Sequence, residues 1–102
     1  MIDYTKEKNQ NEIIIRLKSN LNFENTVYLR GLLKSLLKEK KLFVTLDLKK
    51  VSFLSSYAIG IFITLNYDFK KLGGEIKFIN PTSHVKKIFD CINLDKVINI
   101  SK

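Results

Sequence analysis

Leu46-Asp47-Leu48-Lys49-Lys50-Val51-Ser52-Phe53-Leu54-Ser55-Ser56-Tyr57-Ala58-Ile59-Gly60 runs a buried-looking strand through a polar turn into a helix that opens on two hydroxyls. The first N–H groups of a helix lack intrahelical acceptors and present the positive end of its dipole. A serine there can cap the helix or carry a phosphate. The residues alone leave both readings open.

Upstream, Leu42 to Leu48 is a nearly unbroken apolar run, the pattern of a central strand covered on both faces. Downstream, a helix beginning near Ser56 ends at Gly73-Gly74, and Glu75 to Asn80 forms the next strand before Pro81 breaks it. Within that helix Ala58, Phe62, Leu65, Phe69 and Leu72 gather on one face as a core stripe, with Ile59 and Ile61 at its margins. Ile63 and Tyr67 fall outside the stripe with Gly60 beside them, and suit a partner surface if exposed.

Towards the N-terminus, Ile2, Tyr4, Lys6 and Lys8 share one strand face and Asp3, Thr5 and Glu7 the other, a weak alternation that suits an edge strand. Asn9-Gln10-Asn11 reads as a turn and Glu12 to Lys18 as a β-branched strand, so the two strands form an antiparallel hairpin. After Ser19-Asn20 and Leu21-Asn22, the apolar residues Val27, Leu29, Leu32, Leu33, Leu36 and Leu37 mark a helix from about Phe23 to Lys38, capped by Asn22 or Asn25. Arg30, Lys34 and Lys38 take its wet side. Thr82 or Ser83 caps a short helix carrying Val85, Ile88, Phe89 and Ile92, and Lys96 to Ile100 provides a last strand. The order is β-β-α-β-α-β-α-β. Right-handed crossovers then imply an α/β fold, a small mixed sheet with a parallel core and packed helices.

A chain of 102 residues, 45% hydrophobic, is expected to form one domain over residues 1–102. Its one cysteine, Cys91, supplies neither a disulfide framework nor a thiol cluster for a metal, which fits a reducing, cytoplasmic setting. It reads as a small buried apolar group beside Phe89 and Ile92. The lone His84 near a helix start reads as a surface or capping residue. With no second member for a histidine relay or metal cluster, and no phosphate-binding spacing around Gly73-Gly74, the chain is read as a non-enzyme needing no cofactor. No basic-then-apolar signal opens it, and no apolar run approaches the ~20 residues that cross a bilayer.

Eighteen basic against ten acidic residues give a net charge of +8. The doublets Lys40-Lys41, Lys49-Lys50, Lys70-Lys71 and Lys86-Lys87 are dispersed near element ends, which describes a solvated surface better than a nucleic-acid groove. An acidic protein partner would still be steered to such a surface.

Val51-Ser52-Phe53-Leu54-Ser55-Ser56-Tyr57-Ala58-Ile59-Gly60 resembles the hallmark of STAS domains, named for sulfate transporters and anti-sigma factor antagonists: V-x-F-hydrophobic-D-S-S/T-G-L/I-G after a strand. Lys71-Leu72-Gly73-Gly74-Glu75 is similar to the family's K-x-G-G-E/K helix exit. Asn80-Pro81, Val85 to Asp90 and Asn93-Leu94-Asp95 are similar to its N-P-x-x-x-V-x-x-hydrophobic ending before G-L-D. Asp47 matches an acid near the end of the family's third strand, where a bond to the following loop is its simplest role. The resemblance spans essentially the whole chain, in order.

That resemblance implies a bacterial partner-switching protein. The antagonist binds an anti-sigma factor that is also a serine protein kinase and so releases a sigma factor. Phosphorylation of the motif serine breaks the complex, and a phosphatase of the PP2C type restores it. The motif serine falls on Ser56, with Ser55 as the alternative, and the implied partner surface takes in Asn22, Ser55, Ser56, Tyr57, Gly60, Ile63 and Tyr67. A phosphate at Ser56 would add nearly two negative charges at the edge of that surface without unfolding the helix start. The chain departs from the pattern at Ser55 for aspartate, Tyr57 for a small hydroxyl, Ala58 for glycine, and Ser19-Asn20-Leu21-Asn22 for G-E-L-D. A kinase would therefore meet a bulkier, less acidic surface. The alternative within the family is a non-switching subunit of an ABC-type lipid transporter or a signalling scaffold.

Overall fold

Residues 2–101 are described by the computed structural model; Met1 and Lys102, the ends of the expected 1–102 domain, lie outside them. The elements are β1 (Tyr4–Asn9), β2 (Glu12–Leu17), α1 (Phe23–Lys38), β3 (Phe43–Asp47), α2 (Ser56–Lys71), β4 (Glu75–Ile79), α3 (Ser83–Cys91), a 3-10 turn (Leu94–Lys96) and β5 (Asn99–Ser101). The expected element order is observed. The strands make one sheet in the order β1-β2-β3-β4-β5, with β1 antiparallel to β2 and every other pair parallel.

Strand order explains where the helices go. Each crosses between neighbouring parallel strands in the same direction, and right-handed crossovers put all three on one face. Burial agrees: Ile13, Ile15 and Leu17 of β2, Val44 and Leu46 of β3, and Ile76 and Phe78 of β4 join one core with Leu29, Leu33, Phe62, Phe69, Val85 and Phe89 of the helices. The intervening residues face the other way, where Ile14 stands apart from that core. So β3 is central, but helices cover only one of its faces. Its Thr45 and Asp47 are buried instead by neighbours on the strands, Glu12 and Arg16, to which they hydrogen-bond. The apolar run of β3 is too short to separate the two arrangements by periodicity.

Each helix starts on a side-chain cap. Asn22 Oδ1 accepts from the Asn25 N–H at 2.8 Å, Ser55 Oγ from Ala58 at 3.2 Å and Thr82 Oγ1 from Val85 at 3.3 Å. A cap of this kind contributes about 1 kcal/mol. At the α2 exit Gly73 adopts φ +91°, and the Gly74 N–H donates to the Phe69 carbonyl at 2.9 Å. The Gly74 backbone presses on the residue that leads into β3: a Cβ there would lie 2.0 Å from the Leu42 carbonyl oxygen.

Several side-chain expectations are corrected. Cys91 is exposed, because it lies two residues past the buried Phe89, about 200° round the helix. Val27 is exposed for the same reason, two residues before Leu29. Leu72 and Ile92 are exposed at helix C-caps, where the chain has left the core-facing stripe. The last strand is shorter than Lys96 to Ile100. The N–H groups of Lys96, Val97 and Ile98 are taken by local carbonyls of Asn93 and Leu94, so pairing with β4 begins only at Asn99.

Candidate functional site

The loops leaving β2, β3 and β4 are tied to one another at the end of the sheet where the helices begin. Asn20 Oδ1 accepts from the N–H groups of Ser52 (2.8 Å) and Phe53 (3.1 Å) and from the Ser52 hydroxyl (3.2 Å). Leu21 bonds both ways, its N–H to the Phe53 carbonyl and its carbonyl to the Ser55 N–H, each at 2.9 Å. The Thr82 hydroxyl donates to the Val51 carbonyl at 3.1 Å. The serine pair therefore sits on a clamped passage.

The two serines differ in what they do. Ser55 is half-buried and its oxygen is occupied as the α2 N-cap. Ser56 is the first helical residue and exposed. Tyr57 turns sideways, half-buried, with its ring 4.8 Å from that of Phe23 at the start of α1. Gly60, Ile63 and Tyr67 follow Ser56 at spacings of four, seven and eleven, which places all four in one stripe opposite the buried Ala58, Phe62, Leu65 and Phe69. Ile63 is 37% and Tyr67 64% exposed, and together with Lys70 and Val97 they line a groove of about 390 Å³. The Lys71 ammonium stands 5.3 Å from the Tyr67 ring centroid. Asn22 is exposed beside Phe23, itself 64% exposed, and its side-chain oxygen is engaged as the α1 cap. At Gly60 an added Cβ would meet nothing within 4 Å, so the fold itself does not demand that glycine.

Asp47 has the expected bond to its following loop, a 3.0 Å hydrogen bond from the Lys49 N–H. An interstrand pair joins it: Arg16 reaches Asp47 and Glu7, each at 2.8 Å. Burial pushes the Asp47 carboxyl up. The hydrogen bonds from Lys49, Arg16 and Asn80 together outweigh that push and hold it below the usual carboxylate range. With its oxygens occupied, Asp47 braces the end of β3 rather than presenting an acid to a partner.

Sequence reading missed Asn20, whose acceptor oxygen clasps the passage, because it resembled any loop asparagine. It also missed Asn66, which is buried in α2. Its Oδ1 accepts from the Ile76 N–H at 2.9 Å and its Nδ2 donates to the Val97 carbonyl at 3.0 Å, tying α2 to β4 and to the segment before β5. An amide beside Phe62, Leu65 and Phe69 was the available signal.

A mixed five-stranded sheet and a serine-bearing passage from strand to helix define the class, a compact α/β module that displays one helix face. The chain belongs to the STAS domain family, whose profile matches residues 3–102. It is 28% identical over 100 residues to the anti-sigma-B factor antagonist of Bacillus subtilis (strain 168), covering 98% of this chain and 91% of that one. Its fold is similar to that of a Thermotoga maritima protein provisionally assigned as an anti-sigma factor antagonist: TM-score 0.90, 19% identity, 97% of this chain and 86% of that one. It is also similar to the Bacillus anti-sigma factor antagonist SpoIIAA. The unphosphorylated form gives a TM-score of 0.82 at 17% identity (98% and 89% covered). The phosphorylated form gives 0.76 at 16% (98% and 92%).

Proposed function

We propose that the chain is an anti-sigma factor antagonist that docks an anti-sigma factor through the exposed stripe of α2, with phosphorylation of Ser56 weakening the complex. The observation that carries this reading is the division of labour between the two serines. Ser55 is committed to the helix cap, whereas Ser56 is exposed at the head of a stripe of apolar groups that the core does not use. A phosphate on Ser56 lies next to the unpaired N–H groups of the first helical turn, so the fold tolerates it. A partner seated on Gly60, Ile63 and Tyr67 meets its charge at the edge of the contact. Ser55 is the poorer acceptor, since its half-buried hydroxyl is already engaged by the Ala58 N–H. The partner is an anti-sigma factor with serine kinase activity, and a PP2C-type phosphatase reverses the mark. This chain acts in the cytoplasm and catalyses nothing itself.

The test is incubation with a cognate anti-sigma factor kinase and ATP, followed by intact mass and complex formation. One added phosphoryl group, absent in Ser56→Ala and retained in Ser55→Ala, is expected. No phosphate and no complex would remove the reading. The loss of the motif aspartate at Ser55 favours a second one, a non-switching STAS subunit of a transporter or scaffold. Co-purification with an ABC-type ATPase and no modification would select it.

A further inference from the structure

Two adjoining cavities open where β3 and β4 end. One, about 630 Å³, is lined by Lys49, Asn80, Pro81, Thr82, Ser83 and Lys86. The other, about 240 Å³, has Lys18, Lys49 and Lys50 in its walls beside the Arg16–Asp47 pair. Lys49 stands in both, so the two make one basic concave surface. Asp47 is the sole carboxylate among the lining residues, and its oxygens are already taken by Arg16, Asn80 and the Lys49 N–H. Among the described residues no ion pair holds the ammonium groups of Lys18, Lys49, Lys50 or Lys86.

The walls are rigid. The Leu48 N–H donates to the Ile79 carbonyl at 2.9 Å, Asn80 holds φ +56° with its N–H on the Ser101 carbonyl, and Thr82 caps α3 while bonding Val51. The chemistry of the lining discriminates among anionic partners. No aromatic side chain stands in either cavity, so there is no platform on which a base could stack. Of the apolar lining residues Leu17 is buried and Pro81 half-buried, which leaves no large apolar side chain to insert into a bilayer. Carboxylates on a flexible backbone are the anions that four separated ammonium groups and the exposed Ser83 hydroxyl can take up one by one.

We infer that this end of the sheet is a docking site for an acidic segment of a protein partner, whose carboxylates meet Lys86, Lys49, Lys50 and Lys18. The inference is independent of the switch at Ser56, since neither cavity includes a residue of α2.

The test uses the full chain and a fluorescein-labelled decaglutamate peptide, followed by anisotropy at low salt and by amide chemical shifts. Binding is expected, with shifts concentrated at Lys49, Ser83 and Lys86, and a weakening of at least tenfold in Lys49→Glu/Lys86→Glu. Lys40→Glu/Lys41→Glu, the same change in net charge at the opposite end of the sheet, should weaken binding less than threefold. Thermal melts check that both variants fold, and Lys49→Gln/Lys86→Gln serves if the first does not. Equal losses in the two charge-matched variants, or no binding, overturn the proposal. So does tighter binding of a ten-residue oligothymidylate, or of phosphatidylglycerol vesicles, than of the peptide.

Discussion

The Asn20 side-chain oxygen meets the Ser52 N–H at 2.8 Å across two loops that are 32 residues apart in the chain. The same oxygen serves Phe53, so one side chain sets the path by which β3 reaches the serine pair. Removing it in Asn20→Ala leaves those donors to water. Unfolding in urea should show a loss of about 1 to 2 kcal/mol. Asn20→Asp keeps an acceptor in place and should recover most of it.

Two glycines, one past the exit of α2 and one inside it, should respond with opposite signs. Gly74→Ala drives a Cβ to 2.0 Å from the Leu42 carbonyl oxygen, and backbone must move to relieve it. A cost of about 1 to 3 kcal/mol or more is expected in the same urea assay. Gly60→Ala meets open space in a helix interior and should stabilise by up to about 1 kcal/mol. If Gly60 lies under a partner, the same substitution weakens docking while stabilising the free chain.

The bonded Asp47 carboxyl makes stability depend on acid. Its folded pKa lies below its unfolded value, so the folded state gains from ionisation at every pH above the unfolded pKa of about 4. That gain is lost as the pH falls through the folded value. Arg16→Met takes away one of the three bonds that lower it, so only those from Lys49 and Asn80 still oppose the upward push of burial. The acid-unfolding midpoint should move to higher pH in this variant, while Lys18→Met, nearby but unpaired with Asp47, should leave it in place.

Docking through α2 is testable apart from stability. Ile63→Asp and Tyr67→Ala alter side chains that are already exposed, so unfolding free energies should stay within about 0.5 kcal/mol of the parent. Binding to the anti-sigma factor, followed by calorimetry, should weaken at least tenfold for each, as it does when an interface anchor is truncated. Unchanged affinity in both variants would take the contact off this face.

The comparison between sequence and coordinates is uneven in an instructive way. Regular elements were legible because their signals are local. The alternation through Ile13, Ile15 and Leu17, the caps at Asn22, Ser55 and Thr82, and the Gly73-Gly74 exit each act within a turn or a strand. Misreadings fell where a residue sits at the edge of a periodic face. Val27, Leu72 and Cys91 were given to the core, and a rotation of roughly half a turn or a departing chain exposes them.

By itself the sequence determined the order of strands and helices, the parallel core and the stripe from Ser56 to Tyr67, because helical and strand periods assign faces without knowledge of neighbours, and the resemblance of its motifs pointed to the family. Only the tertiary structure decided which serine is committed to the cap and which stands exposed. It alone brought Asn20 to Ser52, Phe23 to Tyr57 and Arg16 to Asp47, and gathered Lys18, Lys49 and Lys86 around one end of the sheet. Those pairings join residues distant in the chain, and a single sequence carries no term for contacts that exist only once the loops have closed.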